Sequence, residues 1–152
     1  MTRPVTALAT QPRLGYVVAR LDRALRHEIE LCVRPHGLTV AQYTALSVLA
    51  NRSGLSNSQL ARRSYITPQS MSQVLAALER EGLVRRAPDP AHARILRAQV
   101  TAKGRRVLAL CDEAVDEVES RMVDGLSEAE RAQLLASLKH CVRTLRAGLD
   151  GL

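Results

Sequence analysis

Between Ile66 and Arg86 the chain gathers side chains that can both donate and accept hydrogen bonds: Thr67, Gln69, Ser70, Ser72 and Gln73, set around Pro68. A primary amide offers donor and acceptor side by side, and a hydroxyl rotates to serve as either. Such groups suit the reading of a flat, patterned edge better than the making or breaking of bonds. The residue types needed for catalysis are scattered. His27, His36, His92 and His140 show no metal-ligand spacing. There is no glycine-rich phosphate loop and no nucleophile elbow. No catalytic residue, metal site or cofactor is expected, and the chain does not read as an enzyme.

Charge indicates what the polar cluster faces. The formal net charge is +7 over 152 residues. Residues 53–106 hold ten Arg or Lys against three Asp or Glu, while the rest of the chain balances twelve against twelve, so the whole excess lies in this block. A basic block between neutral arms is the electrostatic footprint of a polyanion; the alternative is a solvated basic face. No apolar run of about 18 residues is present, so no membrane span is expected. The N-terminus shows no signal peptide. Three cysteines without Cys-x-x-Cys spacing argue against a disulfide framework or a zinc site. A reducing, cytoplasmic setting follows.

The elements that hold the cluster are legible from periodicity. Leu14, Val17, Val18, Leu21, Leu25, Ile29 and Val33 recur at helical steps, and Pro35 and Gly37 end the run. Thr39 with Gln42, Ser56 with Gln59, and Ser127 with Glu130 are three capping boxes, each opening a helix. Thr67 caps a further helix with Pro68 at its first position, where a missing N–H is harmless. That helix keeps Met71, Val74, Leu75 and Leu78 on one face and stops at Gly82. "LVRRAPD" and "ILRAQVT" then predict a two-stranded hairpin around "PAHA". Helical period returns from Thr101 to Met122, and again from Ser127 to Leu149.

The order is helix, helix, helix, helix, hairpin, helix, helix. A short step between the third and fourth helices fits a helix-turn-helix, and the following hairpin makes it winged. The fold class expected is mainly α with a small β-wing: a winged helix-turn-helix with an α-helical dimerisation domain, since helices one, five and six have broad apolar faces and little sign of a partner within one small winged helix. The second helix of such a unit lies in the major groove of DNA with its N-terminal residues at base edges, where glutamine bonds adenine bidentately. The expected base-reading residues are Gln69, Ser70 and Gln73, with Thr67, Pro68 and Ser72 beside them. Arg62, Arg63, Arg85 and Arg86 are expected on phosphates, and Ser56 and Asn57 at the start of the third helix are also expected to contact DNA.

These residues carry a resemblance to a family. "LTVAQYTALSVLA", "LSNSQLARRSYITPQSMSQVLAALEREGLVRRAPDP" and "VTAKG" leading into a long helix resemble the MarR-type winged-helix regulators over roughly Leu14 to Leu145. The resemblance implies a homodimer straddling a pseudo-palindromic operator on double-stranded DNA. It also implies transcriptional control, most often repression released by a small, frequently aromatic ligand. Residues 1–36 would form an N-terminal arm and dimerisation helix, 37–101 the DNA-binding lobe, and 102–152 the C-terminal dimerisation helices. The family's wing usually carries Asp-x-Arg; here the corresponding positions are His92, Ala93 and Arg94. Arg94 is the expected minor-groove contact, His92 lies beside it, and Asp89 is the nearest acid to stand in for the missing one.

Tyr16 and Arg20, one turn apart, and Tyr43 are the residue types that would hold an aromatic carboxylate effector; the plainer reading makes them half-buried core and an intersubunit ion-pair partner. Cys32, Cys111 and Cys141 read as small hydrophobes on apolar faces. Two other functions fit the same elements: a non-specific architectural DNA binder and a protein-binding winged helix. Polar groups at the helix start argue against the first, and salt-dependent duplex binding separates the second.

Overall fold

A computed structural model describes residues 11–145; the start of the N-terminal arm and Leu149 lie outside them. Helix α1 (Leu14–Val33) runs through a 3-10 turn (Arg34–His36) into α2 (Val40–Asn51). Strand β1 (Leu55–Ser56), α3 (Asn57–Ser64) and α4 (Pro68–Arg80) follow, then β2 (Val84–Pro88), β3 (Leu96–Val100), α5 (Ala102–Met122) and α6 (Glu128–Thr144). The hairpin is thus part of a three-stranded antiparallel sheet in the order β1-β3-β2. The sequence concealed β1 because it is two residues long and its Ser56 is also the N-cap of α3.

All three capping boxes form, each with the hydroxyl accepting from the third backbone N–H and the amide or carboxylate accepting from the cap N–H. Thr67 accepts from Ser70 N–H and fixes the start of α4. Met71, Leu75 and Leu78 turn into a core shared with Leu46, Leu49, Leu60 and Val84. That core continues into Val33 of α1 and Leu108 and Cys111 of α5. Helix α5 therefore has a protomer partner along its inner face, contrary to the expectation that helices one, five and six are all unpartnered. Gly104 makes this junction possible, since a Cβ there would run into the Leu83 carbonyl oxygen and the Val100 side chain.

The arms differ sharply. Helix α6 has no buried residue among its described positions, and α1 has only Val33. Leu14, Tyr16, Val17, Val18 and Leu21 on α1, and Leu134, Leu135 and Leu138 on α6, are exposed in the protomer. Cys111 is buried and burial, then the nearby Asp112, raises its thiol pKa. Cys32 is half-buried, but Cys141 is exposed, so the expectation of three apolar-face thiols fails for Cys141 within one chain. The physical reason is that no described residue covers the apolar face of α6.

Candidate nucleic-acid interface

The first two turns of α4 form an exposed polar surface. Thr67, Pro68, Gln69, Ser70, Ser72 and Gln73 all face outward, opposite Met71 and Leu75. Their hydroxyls are mostly engaged: Thr67 Oγ1 donates to Ser70 Oγ at 3.0 Å, and Ser72 Oγ donates to the Pro68 carbonyl at 3.1 Å. The amides of Gln69 and Gln73 have no partner among the described residues. Of the whole cluster they are the two with both edges available.

Helix α3 anchors this surface. Asn57 Nδ2 donates to the Pro68 carbonyl at 2.8 Å, stitching the start of α3 to the start of α4. Its Oδ1 is buried without a partner. The Asn57 side chain, expected at the interface, thus ties the two helices together. Ser56 Oγ is occupied as the cap acceptor from Gln59 N–H at 3.3 Å. Arg62 is exposed and Arg63 half-buried near the end of α3.

The wing is braced by a substitute acid. Asp89 Oδ2 pairs with Arg97 Nε at 2.6 Å, and Oδ1 accepts from the Ala91 and His92 N–H groups at 2.7 and 3.0 Å. Hydrogen bonding from Arg97, then from the Ala91 N–H, holds the Asp89 carboxyl below the usual carboxylate range. Arg97 Nη1 reaches onward to Gln59 Oε1 at 3.0 Å and to the Gly54 carbonyl at 3.3 Å. Gln59 is the capping-box residue of α3, so one arginine ties the wing tip to the helix-turn-helix. Arg94 is left at the exposed tip with no partner among the described residues, beside His92.

Two other arginines are committed within the chain. Arg86 Nη2 pairs with Glu79 of α4 at 2.6 Å, and this bond lowers the Glu79 pKa. Arg85 donates twice to Gln99 Oε1 across the β2–β3 ladder, at 3.2 and 2.9 Å. Both pin the wing as well as adding positive charge, a role that only the folded sheet reveals.

The three residues proposed for an effector are not assembled in one protomer. Arg20 lies over the Tyr16 ring, 5.9 Å from its centre, near the start of α1. The far end of α1 is the part near Tyr43: Cys32 Sγ donates to the Ala114 carbonyl on α5, two residues from Asp112, the partner of the Tyr43 hydroxyl. From Tyr16 to Ile29 a helix rises roughly 20 Å. The Tyr43 hydroxyl is already engaged, donating to Asp112 Oδ1 on α5 at 2.8 Å. Burial, then Asp112, pushes its pKa well above that of an ordinary phenol.

An exposed helix start with unpartnered amides, a basic surround and a braced wing define a winged-helix DNA-binding protein. A model of the MarR family matches residues 36–95. Over 132 residues the chain is 33% identical to the HTH-type transcriptional repressor Rv2887 of Mycobacterium tuberculosis, covering 87% of this chain and 95% of that protein. The solved structure of that protein with salicylic acid is similar at a TM-score of 0.71 and 32% identity, covering 88% of this chain and 99% of that one. The transcriptional repressor CouR, solved on a 23-mer DNA duplex, is similar at a TM-score of 0.77 and 30% identity, covering 86% of this chain and 92% of that one. The chain belongs to the MarR family: it is a DNA-binding transcriptional regulator and not an enzyme. Among the described residues no helix is long and apolar enough to cross a membrane, and no cluster of His, Cys, Asp or Glu would hold a metal.

Proposed function

We propose that this chain is a homodimeric, sequence-specific repressor that reads a pseudo-palindromic operator with Gln69, Ser70 and Gln73 and is released by a small aromatic ligand in the cytoplasm. The single observation that carries the reading role is the pair of unpartnered amides on the outer face of α4. A binder of backbone alone has no need of them. Arg62, Arg63 and the helix start hold phosphates, and Arg94 enters the minor groove. Arg85 and Arg86 add charge while pinning the wing.

The dimer reading rests on the bare arms. A cleft of about 500 Å³ between α5 and α6 is floored by Met122, Val123, Leu134, Leu135 and Leu138 and rimmed by Asp116 and Glu119. The start of α1 presents Leu14, Val17, Val18 and Leu21 together with Arg13, Arg20 and Arg23. The apolar floor, with two acids against the one Arg131 on its rim, suits the apolar and basic start of α1 from a second copy. The division into residues 1–36, 37–101 and 102–152 follows as dimer arm, reading lobe and dimer helices. An aromatic effector is supported by the salicylic acid complex of the relative. The Tyr16–Arg20 pair meets Tyr43 only if a second subunit supplies one of them.

The test is selection of bound duplexes from a random-sequence pool, followed by titration of the complex with salicylate. Recovery of an inverted repeat with half-sites about one helical turn apart, and its release by salicylate, supports the proposal. Recovery of no consensus favours the architectural reading.

A further inference from the structure

Five described residues adopt a positive φ, and four of them are glycine: Gly37, Gly54, Gly82 and Gly125. The fifth is Tyr65, at φ 56° and ψ 37°, in the turn between α3 and α4. A left-handed backbone sets Cβ against the following carbonyl, which is why glycine serves there and a bulky ring does not. The turn holds Tyr65 in place from both sides. Its N–H bonds back to the Ala61 and Arg62 carbonyls, and the N–H of half-buried Ile66 bonds to Ala61 O at 3.2 Å. This is the arrangement that closes a helix with glycine at the left-handed position.

Packing does not explain the tyrosine. Its side chain is 56% exposed, and the phenol has no partner among the described residues. The chain has only three tyrosines and neither tryptophan nor phenylalanine, so an aromatic ring spent on a strained, solvent-facing corner is a marked choice. The corner is also well placed. Tyr65 stands two residues before the N-cap Thr67 and directly after the arginine-bearing end of α3, with Arg62 exposed one turn back. Backbone strain held at an exposed position beside a binding surface points from the outlier to a role.

We propose that Tyr65 is a DNA-backbone contact, its hydroxyl donating to a phosphate oxygen just outside the bases that α4 reads. The proposal rests on the assignment of α4 as the helix that faces DNA. A neutral donor positions the helix without carrying sequence information. It also displaces no counterion, unlike an arginine on the same phosphate.

The experiment uses the full chain with Tyr65→Phe and Tyr65→Gly. Affinities are measured on a duplex selected from a random pool and on its scrambled counterpart, at several salt concentrations, beside thermal melts. Tyr65→Phe is expected to weaken both duplexes by about tenfold, with the salt slope unchanged. Tyr65→Gly is expected to bind at least as weakly as Tyr65→Phe while its melting temperature holds or rises by roughly 2–4 °C. Wild-type affinity for the two duplexes measures the reading role of α4 separately. Wild-type affinity in Tyr65→Phe overturns the hydroxyl contact. A fall of more than about 5 °C in Tyr65→Gly overturns the claim that the ring is held against its backbone preference.

Discussion

The reading lobe and the helical arms of this protein are finished to different degrees. In the lobe, nearly every segment is tied to its neighbour by a specific bond. Asn57 joins α3 to α4, Arg86 joins the wing to Glu79, and Arg97 joins Asp89 to Gln59. In the arms, α6 buries nothing and the first half of α1 shows its apolar face to water. Exposed apolar area of this kind, when contiguous, marks a surface meant for a partner. The head holds the unpartnered amides of Gln69 and Gln73 on a tied frame, while the arms leave apolar faces that the proposed dimer would bury.

The largest expected effect comes from keeping the arms apart. Leu134→Asp combined with Leu138→Asp places charge on the floor of the α5–α6 cleft. Sedimentation should then show a monomer, and DNA affinity should fall by more than about 100-fold as two linked half-sites become independent. A dimer of wild-type affinity would mean the arms are not the interface.

A smaller effect is expected from loosening the head. Arg97→Ala frees Asp89, Gln59 and the Gly54 carbonyl together, so the wing tip loses its tie to α3. Operator affinity should drop by about tenfold, close to the loss from Arg94→Ala, and the double variant should lose little more. Additive losses would show that Arg97 touches DNA itself. Because the folded-state pKa of Asp89 is lowered, the pair's contribution is present above the ordinary carboxylate value of about 4 and is lost only as pH falls through the lowered one. Asp89→Asn should mimic that loss at neutral pH, read as faster amide exchange at Ala91 and His92.

How much of this was legible depended on how local each feature is. Helix limits and all three capping boxes were readable because a cap and its partner lie three residues apart. The wing brace was not, because Arg97 stands eight residues from Asp89 and 38 from Gln59, and only the folded sheet brings them together. The pairing of Arg86 with Glu79 was hidden for the same reason, being likewise tertiary. The tie from Asn57 to Pro68 was hidden because a start-of-helix asparagine gives no sign of which way it turns. Tyr65 escaped notice because a left-handed backbone leaves no trace in the residue type. The exposure of Cys141 was hidden for the opposite reason: helical periodicity marks an apolar face without saying which chain covers it.

The smallest effect concerns those thiols. Replacing Cys32, Cys111 and Cys141 by Ala should leave DNA affinity within about threefold of wild type, with some loss of stability centred on buried Cys111. Low peroxide should not release the DNA. A thiol-reversible release abolished by a single one of these substitutions would show that the chain senses oxidants.

The central claim is that α4 reads sequence instead of merely clamping charge, and Gln73 tests it most directly. Affinities of wild type and Gln73→Ala should be measured on matched and scrambled duplexes over a range of salt. The expected result is a loss of ~1–3 kcal/mol on the matched duplex with relaxed selectivity at one or two positions per half-site, little change on the scrambled one, and an unaltered salt slope. Equal losses on both duplexes would contradict it and make the surface from Ile66 to Arg86 a charged clamp.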